Sequence, residues 1–126
     1  MIELTGQKKS DAIGVMKPSF QTFIIGIYRS REEIRERLDR RTAALFENGW
    51  IQEVQQLRTA GIQRQSPAME SHGYREIAAA LAADRGSISP QIRAALIADI
   101  ATKGRQYAKR HDTWWRHDDR VHWITP

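Results

Sequence analysis

The residues best suited to chemistry form one run near the end of the chain, residues 105–116 (RQYAKRHDTWWR). Four Lys or Arg side chains alternate there with three Tyr or Trp rings. Cations neutralise phosphates and flat rings stack on unpaired bases, so the run indicates a surface for single-stranded or loop RNA. The alternative is the end of an amphipathic helix whose rings fill the core while the cations face water.

Two shorter sets of residues could also bind a phosphorylated ligand or nucleic acid. Arg37 and Arg41 are four residues apart and share a helix face, where two guanidiniums could clamp a diphosphate. The alternative is a solvated face on which Glu33 pairs with Arg37. Residues 72–76 (HGYRE) open a predicted helix, where Gly permits close backbone approach and Tyr and Arg can contact nucleic acid. Alternatively, Gly73 only relieves strain at a loop-to-helix junction.

Several other chemistries are excluded. Residues 6–10 (GQKKS) lack the Gly before Lys-Ser and the upstream Gly of a phosphate-binding loop, so they predict a surface turn. No G-x-S-x-G pattern marks a hydrolase nucleophile. The absence of cysteine and the spacing of the four His disfavour a metal site. Carboxylates among the arginines of residues 32–39 indicate surface ion pairs.

The length, composition and charge are those of one small globular domain, or of a piece of a larger one. The chain has 126 residues, of which 40% are hydrophobic and 28% charged. Its net charge of +5 and pI near 10.0 favour an anionic partner. No apolar run reaches the length of a membrane span and the N-terminus does not resemble a signal peptide, so we expect a cytoplasmic protein without membrane contact.

Periodicity and capping signals predict four helices. The first covers residues 31–46 after a capping box at Ser30, and the second runs from Trp50 until Gly61 stops it. The third begins at Tyr74 after a loop over residues 62–70. The last begins after Ser89 as N-cap and continues into the basic and aromatic run.

Two strands complete the prediction. Residues 20–28 (FQTFIIGIY) are rich in aromatic and β-branched types, and residues 121–124 (VHWI) are the other candidate. The apolar run 23–25 predicts burial on both faces, as in a parallel sheet. Without neighbours the strand would expose an edge prone to pairing. Residues 1–19 are predicted to be irregular.

Seven motifs in order extend over nearly the whole chain. They are Glu3-Leu4-Thr5-Gly6, Ile25-Gly26-Ile27 followed by Ser30-Arg31-Glu32-Glu33, Arg37-x-x-x-Arg41, Gly49-Trp50-Ile51-Gln52-Glu53-Val54, Gly73-Tyr74-Arg75-Glu76, Gln106-Tyr107-Ala108-Lys109-Arg110 with Thr113-Trp114, and Val121-His122-Trp123-Ile124. In this order the chain resembles the C-terminal portion of the tRNA dimethylallyltransferases, also called tRNA isopentenyltransferases.

The resemblance implies an activity and a fold. The family transfers a dimethylallyl group from its diphosphate to N6 of the adenine beside the tRNA anticodon, after that base is flipped out. Its fold is a P-loop kinase-like α/β core with an inserted helical domain. We therefore expect residues 1–126 to be a single, mostly helical region with one or two residual strands. The implied partner is the tRNA anticodon loop, and the full-length family uses dimethylallyl diphosphate as substrate with Mg²⁺.

The resemblance also assigns site residues. Arg41 matches the arginine that contacts the diphosphate, while residues 70–75 and 109–116 match segments that contact tRNA. The tRNA-contacting residues are Glu70, Ser71, His72, Gly73, Tyr74, Arg75, Lys109, Arg110, His111, Asp112, Thr113, Trp114, Trp115 and Arg116. The chain departs from the family pattern at His111, where Gln is usual, and at residues 70–72.

The family's P-loop, its general-base Asp and most of its inserted domain match nothing in this sequence, which resembles only the last two-fifths of a full enzyme. We therefore expect the isolated chain to catalyse no transfer and to bind no cofactor alone. Three interpretations stay open: a C-terminal piece that works with a separately encoded N-terminal half, a stand-alone RNA-binding helical module, and a non-functional remnant.

Overall fold

A computed structural model describes residues 21–63, 65–67, 69–84 and 86–126. The Glu3–Gly6 motif, the predicted irregular start and the rejected phosphate loop lie outside these residues. The described elements follow the order β1 (Ile24–Ile27), α1 (Arg31–Glu47), α2 (Trp50–Thr59), α3 (Tyr74–Ala83), α4 (Pro90–Arg116) and β2 (Val121–Ile124). The predicted architecture of four helices with two strands is thus confirmed for the described part of the chain.

Serine caps begin the two long helices. The Ser30 Oγ accepts a hydrogen bond from the Glu33 N–H at 3.1 Å, and the Ser89 Oγ accepts one from the Ile92 N–H at 3.3 Å. Pro90 occupies the first turn of α4, where a missing N–H costs nothing. Only half of the predicted capping box forms in α1, because the Glu33 carboxylate pairs with neighbouring arginines instead.

The core lies where the end of α1 meets α2, α3 and the middle of α4. Its buried side chains come from all of these elements: Phe46, Trp50, Val54, Ile77, Leu81 and Ile100. Met69 is also fully buried, although it belongs to the connection between α2 and α3. Met69 therefore anchors the connection to the core between these helices.

The two strands pair in parallel, with Ile24 opposite Val121 and Gly26 opposite Trp123. A Cβ on Gly26 would come within 2.6 Å of the Trp123 ring, so only glycine lets this ring lie across β1. The predicted burial of both strand faces is wrong for the described structure: Phe23 and Ile25 are exposed. The reason is that the described sheet has two strands and that the helices lie along one face of it.

None of the described helices combines the length and the apolar character that crossing a membrane requires.

Candidate nucleic-acid interface

The predicted basic and aromatic run forms the last turns of α4, which distribute its residues over three faces. Lys109, Asp112 and Arg116 recur at helical spacing and face the start of α1. Together with residues of α1 and of the connection from β1 to α1, they line a cleft of about 300 Å³. The remaining lining residues are Tyr28, Arg29, Arg31, Ile34, Arg35, Arg105 and Ala108. We call this feature the α1–α4 cleft.

The outer face of α4 is open to solvent. Gln106, Arg110, Thr113 and Trp114 lie together there beside Lys109. Trp114 is 78% exposed. This is unusual, because burying a Trp ring removes a large apolar area from water and stabilises the fold. A free ring with two cations one helical turn away can stack on a base while the cations bind neighbouring phosphates.

The third face of α4 turns towards the sheet. The Trp115 Nε1 donates a hydrogen bond to the His111 Nε2 at 3.1 Å, and the two rings line a groove together with β1 and Val121. Trp115 is half-buried. The alternative interpretation, rings that pack inward, therefore describes Trp115 but not Trp114.

Carboxylates neutralise part of the charge in the α1–α4 cleft. Arg116 pairs with Asp112 and Arg105 pairs with Asp39. Glu33 accepts hydrogen bonds from Arg37 and Arg29 on either side of it. The Arg37 hydrogen bond is the largest cause that holds the pKa of Glu33 below its ordinary value.

Residues 70–75 combine packed and exposed positions. Gly73 is buried with φ of +89°, and a Cβ there would lie 2.0 Å from the Trp50 ring. The Tyr74 hydroxyl donates a hydrogen bond to Glu53 at 2.7 Å, which raises the pKa of Tyr74. The alternative of a strained loop-to-helix junction is therefore supported for Gly73. The residues on either side of this pair, His72 and Arg75, are exposed, as are Glu70 and Ser71.

A polar link joins this junction to α4. The Glu76 carboxylate accepts hydrogen bonds from the Gly73 N–H at 3.0 Å and from the Lys103 Nζ at 2.9 Å. Lys103 also donates to Asp99 at 2.7 Å. Burial alone would raise the pKa of Glu76, but the hydrogen bonds, chiefly from Lys103, outweigh it and lower that pKa. The two predicted tRNA-contacting segments are thereby connected.

Arg41 is exposed and is not among the residues that line the α1–α4 cleft. It lies six residues beyond Arg35, or about 9 Å along the helix axis. The Arg37 Nε donates to the Glu33 Oε1 at 2.9 Å, so the ion pair expected under the alternative interpretation is present.

Sequence reasoning missed the contribution of α1, and of the residues that join β1 to it, to the cleft. Arg29, Arg31 and Arg35 lie at the carboxyl end of a strand and in the first turns of the following helix. In parallel sheets this edge is where ligands commonly bind, so three arginines after a strand are a signal that could have found them. Arg105 belongs to the predicted run, but its pairing with Asp39 of α1 is visible only in the fold.

In the part of the chain that the structure describes, no group of three or more His, Asp or Glu side chains is arranged to hold a metal ion. The donor set that Mg²⁺ prefers is a set of carboxylate and phosphate oxygens. The described residues do not provide it, and we assign no step through Mg²⁺ to them.

Comparison with known proteins gives consistent matches. The sequence profile of the IPP transferase family matches residues 1–118. A tRNA dimethylallyltransferase of Mycobacterium tuberculosis is 34% identical over 125 residues, which cover 98% of this chain and 39% of the relative. The tRNA dimethylallyltransferase of Streptomyces avermitilis is 33% identical, with coverage of 99% and 38%.

Two solved structures agree with these sequence matches. The tRNA delta(2)-isopentenylpyrophosphate transferase of Staphylococcus epidermidis superposes with a TM-score of 0.70 at 32% identity, over 85% of this chain and 33% of its own. The full-length tRNA isopentenylpyrophosphate transferase of Bacillus halodurans gives a TM-score of 0.70 at 28% identity, over 81% and 31%. The chain spans about two-fifths of the length of the curated relatives it matches. This chain therefore belongs to the IPP transferase family and corresponds to the C-terminal portion of its members.

Proposed function

We propose that this chain is the tRNA-holding part of a tRNA dimethylallyltransferase, which transfers a dimethylallyl group from its diphosphate to N6 of the adenine next to the anticodon. The observation that carries the proposal is the outer face of α4, where an exposed Trp114 lies beside Lys109 and Arg110 in a member of this family. A cytoplasmic location, where tRNA is modified, belongs to the same proposal.

The physical task of this surface is to hold an RNA loop while one base leaves its stack. Unstacking a base costs a few kcal/mol, which new interactions must offset. Stacking on an aromatic side chain contributes about 1–3 kcal/mol per base. Lys109 and Arg110 bind phosphates, which releases counterions and makes binding depend on salt. The exposed side chains of Glu70, Ser71 and Arg75 form the second proposed RNA-binding segment.

Arg41 is the proposed ligand for the diphosphate of dimethylallyl diphosphate. Its guanidinium is exposed, and within the described residues it has no ion-pair partner that would compete with a phosphate. A positive charge at that point stabilises the negative charge that develops on the departing diphosphate. Removing the proton from the adenine amine requires a general base, and the family's general-base segment matches nothing in this sequence.

The isolated chain is accordingly proposed to bind tRNA without modifying it. Adding an N-terminal region from a relative, which carries the P-loop and the general base, should restore dimethylallyl transfer to tRNA. Arg41→Gln should then reduce the transfer rate by about 10²–10³-fold, the loss typical of one charge-stabilising donor. Arg40→Gln is the matched control. Equal rates for the two variants would remove Arg41 from the mechanism.

Binding to an anticodon stem-loop RNA, measured by fluorescence anisotropy, tests the RNA-holding role directly. Trp114→Ala should weaken binding by about 1–3 kcal/mol, or roughly 5- to 150-fold, because the variant has no ring on which a base can stack. Trp114→Phe keeps a ring and should retain most of the affinity. Since the ring is exposed, both variants should melt like the parent protein. Identical affinities of all three proteins would contradict the proposal.

A stand-alone RNA-binding module is the second candidate, and the net charge of +5 favours it as well. The reconstitution experiment separates the two. RNA binding without any recovery of transfer, with several N-terminal regions supplied, would favour the module over the enzyme part.

A further inference from the structure

We infer that the α1–α4 cleft is a phosphate-binding site in which Arg31 and Arg35 of α1 are the principal cations. The inference rests on the proposed function in one respect only: RNA is one of the two expected sources of the phosphate. The cleft adds residues of α1 to a surface that is otherwise assigned to α4 and to residues 70–75.

The charges around the cleft do not cancel. Six cationic side chains line it: Arg29, Arg31, Arg35, Arg105, Lys109 and Arg116. Three of them are held by a carboxylate each, in the pairs of Arg29 with Glu33, Arg105 with Asp39 and Arg116 with Asp112. The other three set the net charge of the cleft.

Those three cations are weakly compensated. Within the described ranges, Arg31 and Lys109 form no ion pair. Arg35 reaches only Asp39, with 4.0 Å between its Nε and the carboxylate, and Asp39 is already paired with Arg105. Three positive charges on two facing helices repel one another, and an anion between them removes that repulsion.

The surroundings of these cations strengthen the binding of an anion. Ile34 and Ala108 contribute apolar surface, which lowers the local dielectric and strengthens attraction to a charged ligand. Two of the three paired arginines are partly buried, at 29% exposed for Arg29 and 32% for Arg105, and their ion pairs hold them in place before a ligand arrives. Guanidiniums bind phosphate oxygens in pairs, which favours phosphate over a monovalent anion.

Both sources of phosphate share this chemistry: a phosphodiester of the RNA backbone, and a free diphosphate. The test is the double variant Arg31→Gln with Arg35→Gln, neither residue being part of the α4 surface proposed to hold RNA. The matched control is Arg40→Gln with Arg58→Gln, which removes the same charge from exposed positions outside the cleft. Arg40 is nine residues after Arg31, so it lies on the opposite face of α1.

In the first arm, the affinity for an anticodon stem-loop is measured over a range of salt concentrations. The cleft variant should reduce the slope of log K against log salt by about 1.4, or about 0.7 for each phosphate that it no longer neutralises, whereas the control keeps the parent slope. Equal slopes for both variants would exclude the RNA backbone as the source of the phosphate. Equal slopes together with no pyrophosphate shifts in the second arm would overturn the inference while the proposed function stands.

In the second arm, inorganic pyrophosphate is titrated into the folded chain and followed by backbone amide NMR. Shifts at Tyr28, Arg29 and Arg105 that disappear in the cleft variant and persist in the control identify a site for free diphosphate. A changed salt slope without such shifts identifies the RNA backbone as the source. If the chain binds no RNA at all, the proposed function fails, and only the pyrophosphate titration tests whether the cleft binds phosphate. The absence of shifts in that titration would then overturn the inference.

Discussion

At the scale of single residues, Gly73 belongs to a motif that the family resemblance assigns to recognition, yet it is needed for packing against Trp50. The family resemblance assigns the Gly73–Arg75 segment to tRNA binding. In the structure the backbone of Gly73 lies directly against the Trp50 ring, and the Tyr74 ring meets Trp50 edge-on at 5.6 Å between centroids. Glycine at this position is required for packing, whatever its neighbours bind.

Gly73→Ala should therefore be strongly destabilising. The left-handed backbone costs any residue with a Cβ about 1–2 kcal/mol, and the clash with Trp50 adds about 1–3 kcal/mol of overpacking. Gly61→Ala is the matched control, since Gly61 has φ of +84° but no atom within 4 Å of the added Cβ. The free energy of unfolding, measured with urea, should fall further for Gly73→Ala than for Gly61→Ala. Equal decreases would show that the Trp50 ring moves aside without cost.

At the scale of elements, the link from Glu76 to Lys103 connects the N-terminus of α3 to the middle of α4. The Glu76 side chain is 10% exposed and satisfies both the Gly73 N–H and the Lys103 ammonium. His72 adds a second connection, with its Nε2 3.0 Å from the Ile100 carbonyl oxygen. These hydrogen bonds set the position of residues 70–75 relative to α4, so they connect the two proposed RNA-binding segments.

The pH dependence of stability should reveal this link. The pKa of Glu76 is below its ordinary value of 4.5 in the folded chain, so its ionised form favours folding. The contribution is complete above pH 4.5 and is lost as the pH falls through the lowered pKa. Glu76→Gln should lower the unfolding free energy by about 1–3 kcal/mol near pH 7, and its difference from the parent should shrink in acid.

Glu36→Gln serves as the control for this measurement, because Glu36 is an exposed carboxylate of α1 without an ion pair among the described residues. It should change stability little at any pH. A difference between Glu76→Gln and the parent that stays constant from neutral pH into strong acid would mean that the carboxylate charge contributes nothing.

At the scale of the whole molecule, the helices pack around a shared core, whereas the sheet is covered on one side. Ile25 and Ile27 are 56% and 58% exposed, and Ile124 is 51% exposed. Contiguous apolar side chains on a short parallel sheet favour association with further polypeptide. This agrees with a chain that spans about two-fifths of its relatives.

Replacing Ile25 and Ile27 by Thr should reduce self-association of the isolated chain, measured by light scattering, with little decrease in melting temperature. The reason is that both side chains are exposed and that Thr keeps a high strand propensity. Ile24→Thr is the control: Ile24 is half-buried, so it should lower the melting temperature and leave association unchanged. Unchanged scattering in the double variant would show that the exposed sheet face does not drive association.

Local signals in the amino-acid sequence were enough to predict the helices, the strands and the family. Serine caps, Pro90 and glycine stops are local signals, because each acts within one helical turn, and they predicted the helix starts at Arg31 and Pro90 correctly. The order of motifs predicted the family because it depends only on residue types along the chain. The exposure of one strand face was not predictable, since burial depends on which elements lie nearby.

Only the tertiary structure decided which residues of the long α4 face the cleft, the solvent or the sheet. It also brought Arg31 and Arg35 opposite Lys109, although more than 70 residues separate them in sequence. The pairing of Asp39 with Arg105, 66 residues apart, likewise follows from the packing of α1 against α4. Net charge in a cleft is a sum over residues that folding brings together, so the sequence could supply the charges but not where they remain uncompensated.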